Sequence, residues 1–245
     1  MVNKLKLNDS KTEFFIAASA HNLRNLPDVQ LNVGGVLTNP SNTIRNLGVL
    51  FDSSMSMSNH ISQICSTVTF HLRNIARIRR FINESACHSA VRSLVLSRID
   101  YCNGLLSNIP SNQLSRVQGL QKWAARLIFQ VSRDYPSKPL FISLHWLPLK
   151  HRITFKLLLF VYKIVNGQAP QYLDNCLTLY TPTRVLRSSL DPLRLTYSKT
   201  HSLAGDRTFT ISASKHWNDL PIAIRKSSSV ATFKKALKTY LFSHP

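Results

Sequence analysis

"SNHISQICSTVTFHLRNIARIRRFI" (residues 58–82) sets the reading of the whole chain. Ile61, Ile64, Val68, Leu72, Ile75 and Ile82 recur every three or four residues, the period of an α-helix with one buried face. Ser58 suits the N-cap, because its short hydroxyl side chain can accept from an unpaired first-turn N–H. Arg73, Arg77 and Arg80 fall at i, i+4 and i+7, and at roughly 100° per residue they lie nearly opposite the apolar stripe. The stretch has an apolar back and a cationic front.

Toward the C-terminus the design recurs. A second helix is expected over roughly Ser85–Leu106, carrying Cys87, Val91, Leu94, Val95, Ile99, Cys102 and Leu106 on its apolar side. Pro110-Ser111 opens a third, to about Val131, with Leu114, Val117, Ala124, Ala125 and Ile128 inward and Lys122, Arg126 and Arg133 outward. A fourth runs from about Lys150 to Val165 through Ile153, Leu157, Phe160, Val161 and Ile164. It carries Arg152, Lys156 and Lys163, and Asn166-Gly167 ends it. Residues 178–207, rich in Thr, Ser, Pro and Arg, lose the period and read as extended coil or short strands. A last helix spans about Ser229–Phe242, with Phe233, Leu237 and Leu241 inward.

Toward the N-terminus the pattern changes. Glu13–Ala18 ("EFFIAA"), Val29–Val33 and Arg45–Phe51 read as strands, separated by turn signals at Pro27-Asp28, Gly34-Gly35 and Asn39-Pro40. The expected class is α+β, a small antiparallel β portion followed by a mostly α-helical body.

Lys and Arg total 31 against 11 acidic residues, a net charge of +20. Such an excess repels itself unless a polyanion shares the surface, which favours nucleic acid over anionic lipid. The cationic helix faces carry almost no carboxylates, whereas a merely soluble helix mixes signs. Arg73, Arg77, Arg80, Lys122, Arg126, Arg133, Arg152, Lys156 and Lys163 are therefore the candidate nucleic-acid contacts, and three such helices can line one groove. Arg79 and Arg98 point instead to apolar sides, where a lone cation is costly. They are expected to be structural, Arg98 with Asp100 in a polar network.

The chain offers little for catalysis. Its 11 carboxylates include no adjacent pair, its four cysteines form no C-x-x-C, and its nine histidines stand singly. Neither a metal cluster nor a nucleophile–base pair is legible. Cys65, Cys87, Cys102 and Cys176 read as reduced, small apolar residues, which fits an intracellular, reducing compartment. No run reaches the ~20 apolar residues of a membrane span, so no membrane partner is expected. His145 and His216, each beside a tryptophan, read as packed structural imidazoles. No catalytic residue, metal site or cofactor is assigned to this chain.

A set of motifs in order carries a resemblance: "LNDSKTE" (7–13), "RNLGVLFDSSMSMSNHI" (45–61), "SRIDYCNGLL" (97–106), "QKWAARLI" (121–128), "LHWLPLKHRITFKLLLFVYK" (144–163), "LRSS" (186–189), "GDRTF" (205–209), "HWNDLP" (216–221) and "FKKALKTYLF" (233–242). Over nearly its whole length the chain resembles the C-terminal part of the reverse transcriptase of jockey-like, non-LTR (LINE-type) retrotransposons. That resemblance implies the end of a palm at 1–56, a thumb-like helical domain at 57–135 and a C-terminal region at 136–245 that includes the irregular 178–207 segment. Lys11 would match a palm-motif lysine, and Leu47 and Gly48, within Asn46–Val49, the primer grip. The aspartates that bind magnesium in the complete enzymes, and the fingers, would lie upstream of Met1, where the Glu13–Ala18 strand would also find its sheet partners. The implied partner is an RNA and/or DNA template–primer duplex, held through its backbone by a chain inactive on its own. The segment Asp134–Trp146 departs from the family's D-H-I-T-P-L-L run, and no cysteine–histidine zinc knuckle is present. Two other readings stay open: a stand-alone or co-opted RNA- or DNA-binding protein, and a relic reading frame without function.

Overall fold

A computed structural model of the chain describes residue 8 and residues 11–182, 191–200 and 202–244. The "LRSS" motif (186–189) lies outside the described residues. The protein is α+β and mostly helical, with three small two-stranded antiparallel sheets among the described residues, two of them N-terminal. It divides into two units, Met1–Gln63 and Ile64–Pro245.

In the first unit, helix α1 (Ala20–Arg24) is capped by Ser19, whose hydroxyl accepts from the Asn22 N–H. Strands β1 (Leu31–Val33) and β2 (Val36–Thr38) form a hairpin across Gly34-Gly35, and β3 (Thr43–Asn46) and β4 (Val49–Asp52) a second across Leu47-Gly48. Both turns place two consecutive residues at positive φ, the type I′ geometry that matches strand twist. The expected Arg45–Phe51 strand is thus a hairpin, because Leu47 (φ 46°) and Gly48 (φ 82°) reverse the chain within it. The Glu13–Ala18 strand is not formed. That segment joins no ladder, and single backbone bonds hold it, Ser41 N–H to the Phe14 carbonyl at 2.8 Å and Ala18 N–H to the Ser53 carbonyl at 3.0 Å.

Asp52 organises the exit from β4. Its carboxylate accepts from the Ser54 hydroxyl at 2.6 Å, the Ser56 N–H at 2.8 Å and the Ser56 hydroxyl at 3.1 Å. Burial opposes the charge, yet these donors together hold the carboxyl below its ordinary range. The knot lets Met55 and Met57 adopt positive φ and leads into helix α2 (Ser58–Ile78).

The second unit begins within α2, where Ile64, Val68, Leu72 and Ile75 are buried as expected. A 3₁₀ turn (Arg79–Phe81) follows. The expected 85–106 helix is interrupted: α3 (Glu84–Val91) passes through a π turn (Arg92–Leu96) into α4 (Ser97–Asp100), and Cys102 at φ 49° ends it. The wider π turn shifts the helical phase. Leu94 and Cys102, expected inward, are exposed, while Cys87, Val91, Val95 and Ile99 are buried.

Helix α5 (Ser111–Phe129) packs against α3, α6 (Ser137–Ser143) and α7 (Leu149–Val165). Strands β5 (Thr178–Leu179) and β6 (Leu195–Thr196) form the third sheet, followed by α8 (Leu203–Asp206), α9 (Phe209–Asn218), α10 (Ile222–Arg225) and α11 (Val230–Ser243). Helix α7 lies against α9 and α11, and the aromatic core of the unit is there: the Tyr162 and Phe233 rings stack at 4.2 Å, with Trp217 fully buried beside Phe233. "HWNDLP" is a clamp. Trp217 Nε1 donates to the Leu193 carbonyl at 2.7 Å, and Asn218 exchanges two hydrogen bonds with the Leu195 backbone, at 2.9 and 2.8 Å. Buried Arg225 then grips Asp191 through its two terminal guanidinium nitrogens, at 2.9 and 2.7 Å.

Candidate nucleic-acid interface

Helix α5 is fixed by polar contacts on its inner side. Fully buried Gln121 donates to the Leu147 carbonyl at 2.9 Å, and Gln118 both donates to Gln121 (3.0 Å) and accepts from the Leu149 N–H (2.7 Å). At the other end Arg79 donates to the carbonyls of Leu127, Ile128 and Ile82, at 2.9, 2.6 and 2.8 Å. It thus satisfies C-terminal carbonyls that a helix leaves unpaired. The structural role expected of Arg79 is observed.

With its inner face locked, α5 presents the opposite face to a groove of about 750 Å³. Lys122, Arg126 and Arg133 line it, together with Trp123, Leu127 and Val131. Arg126 spends its Nε on the Tyr135 carbonyl at 3.0 Å, which steadies the guanidinium and leaves Nη1 and Nη2 without a partner among the described residues. Lys122 and Arg133 make no ion pair or hydrogen bond with the described residues. Among the described residues no carboxylate lines the groove. Three like charges facing one concavity, without a carboxylate partner among the described residues, form an anion-attracting surface.

Trp123 was not among the candidates, although its signal was legible. It precedes Arg126 by three residues, so the two are neighbours on the helix surface. An indole beside cations marks an amphipathic recognition surface.

The other candidates lie elsewhere. Arg73, Arg77 and Arg80 are exposed on α2 and the turn after it, with Arg80 over the Phe81 ring at 4.6 Å. Arg152 is committed within the protein, forming a bidentate pair with Asp100. Asp100 therefore serves Arg152 and not Arg98, which is exposed because the π turn carries it outward. Lys156 and Lys163 are half-buried on α7. Neither the α2 triad nor the α7 triad lines the α5 groove. Leu47 and Gly48 form the tip of the β3–β4 hairpin, and Leu47 is 84% exposed. Lys11 is exposed. His145, expected to be packed, is exposed at φ 53°, whereas burial pushes half-buried His216 below the ordinary imidazole range.

A second cavity, of about 310 Å³, is mostly apolar and is lined by Phe141, Ile142, Pro148, Leu241 and Phe242. Among the described residues no three His, Cys, Asp or Glu side chains converge to hold a metal ion. The described cysteines form no disulfide, and among the described residues no helix is long and apolar enough to cross a membrane. No protein-family model, curated protein or solved structure matches the chain.

Proposed function

We propose that this chain is the template–primer-holding C-terminal part of a jockey-like, non-LTR (LINE-type) retrotransposon reverse transcriptase, an RNA-directed DNA polymerase. The nucleic-acid half of the reading is carried by one observation, the cations Lys122, Arg126 and Arg133 that line the α5 groove without a carboxylate partner among the described residues. The family half rests on the ordered motifs alone. In this reading the β3–β4 hairpin with Leu47-Gly48 at its tip is the primer grip, and α2 belongs to the thumb. Arg73, Arg77 and Arg80 then rest on the sugar–phosphate backbone, where Arg forks suit phosphate oxygens. Arg152 leaves the set of contacts because Asp100 occupies it.

Binding of an RNA–DNA hybrid to the purified chain, followed against salt, tests this. Replacing Arg73, Arg77 and Arg80 with Gln is expected to weaken binding to all sequences and to flatten the log–log salt slope by roughly 0.9 per lost contact. An unchanged slope removes those arginines from the interface. Primer extension on an RNA template by the chain alone is expected to fail, and product formation would overturn its assignment as a holding part.

A second reading is a self-standing RNA- or DNA-binding protein. The buried aromatic core of the Ile64–Pro245 unit favours it. Cooperative unfolding and tight binding by residues 64–245 expressed alone would support this reading over the first.

A further inference from the structure

We infer that the α5 groove is a subsite for an unpaired nucleotide, with the base against Trp123 and the flanking phosphates on Lys122, Arg126 and Arg133. This rests on the nucleic-acid reading above and narrows it to single-stranded substrate. The groove is concave, and its volume of about 750 Å³ falls within the ~300–1,000 Å³ of sites that enclose small organic groups. A duplex turns its bases inward and offers a convex backbone, so it reaches only the rim of such a groove. The exposed α2 arginines, on a convex helix face, suit that backbone instead.

The lining decides the ligand class. Inorganic phosphate would satisfy the cations and leave the wall of Trp123, Leu127 and Val131 wet. An apolar ligand would bury that wall and leave three charges unneutralised. A nucleotide does both, because each has a flat π face and an anionic linker, and stacking on an aromatic ring tolerates any base. Arg126 is held for the task, its Nε anchored to the Tyr135 carbonyl while both terminal nitrogens remain for phosphate.

Gly119 supplies a probe that spares the fold. It lines the groove from mid-helix, and a Cβ added there meets nothing within 4 Å. Gly119→Glu therefore places a carboxylate in the groove while improving helix propensity.

The test is fluorescence anisotropy of the full chain with a labelled single-stranded oligonucleotide, a blunt duplex of the same length, and anionic lipid vesicles. Trp123→Leu and Gly119→Glu are each expected to weaken single-strand binding about tenfold and to change duplex binding less than about twofold, with Trp123→Phe retaining most of the affinity. A variant-free arm uses a strand carrying 5-iodouracil and the unaltered chain, with the photo-adduct expected on Trp123. Equal losses on both nucleic acids, no loss on either, or adducts confined to Arg73–Phe81 would overturn the subsite and leave the nucleic-acid reading standing. Binding to vesicles alone, or to none of the three, would overturn both.

Discussion

Arg79 Nη2 donates to the Ile128 carbonyl at 2.6 Å, joining the 3₁₀ turn after α2 to the last turn of α5. Arg79 is only 8% exposed, and its guanidinium shares three backbone carbonyls, so its charge is dispersed without a carboxylate partner among the described residues. Removing it takes a donor from all three carbonyls, the Ile128 one at a buried site and the other two at partly buried ones. Arg79→Met is expected to cost about 2–4 kcal/mol in urea unfolding, while exposed Arg98→Met stays within about 0.5 kcal/mol. Equal effects would refute the distinction.

Asp100 and Arg152 form a partly buried bidentate pair between α4 and α7. Asp100→Asn and Arg152→Gln are each expected to lower stability by about 1–2 kcal/mol, and Arg152→Gln to leave the salt slope of nucleic-acid binding unchanged. A flatter slope would return Arg152 to the interface.

Leu47 occupies the first position of a two-residue turn at φ 46°, a conformation that favours Asn and Gly over residues with bulky Cβ substituents. Leu47→Asn creates the preferred Asn-Gly pair and is expected to stabilise the protein by about 1 kcal/mol, read as a raised urea midpoint. If Leu47 also contacts the primer, the same variant weakens hybrid binding, so stability and affinity move in opposite directions.

Burial holds His60, His151 and His216 below the ordinary imidazole value of 6.5. Lys150 adds to the effect at His151 and His216, and Asp219 opposes it at His216. The unfolded chain takes up these protons first as pH falls, so stability is full above 6.5 and is lost progressively below it. His60 Nδ1 also accepts from the Leu50 N–H at 3.5 Å, a bond that protonation at that nitrogen would break. Melting temperatures between about pH 8 and pH 5 should fall across this window, and His60→Gln with His151→Gln should flatten the fall.

The helices were the legible part of the fold. Ile64, Val68, Leu72 and Ile75 on α2, and Val117, Ala124, Ala125 and Ile128 on α5, lie buried where the 3.6-residue period puts them. The N-terminal β portion was less legible, because a six-residue apolar run such as Glu13–Ala18 can form a strand or simply lie along one. A π turn has no periodic signature, so the outward rotation of Leu94 and Arg98 was invisible. Helix α6 was missed because Pro139 sits within its seven residues. At the site, the cations on α5 could be read from spacing. That Arg152 is neutralised by Asp100, 52 residues away in sequence, while Arg126 is not, required the tertiary fold.

Anisotropy titrations of a labelled single strand against the full chain, from about 50 to 200 mM salt, probe the groove most directly. Lys122→Gln, Arg126→Gln and Arg133→Gln combined are expected to reduce the log–log salt slope by about 2, at roughly 0.7 per lost contact, with the melting temperature little changed. A triple variant that binds with the parental affinity and slope would contradict the claim that these three cations face nucleic acid.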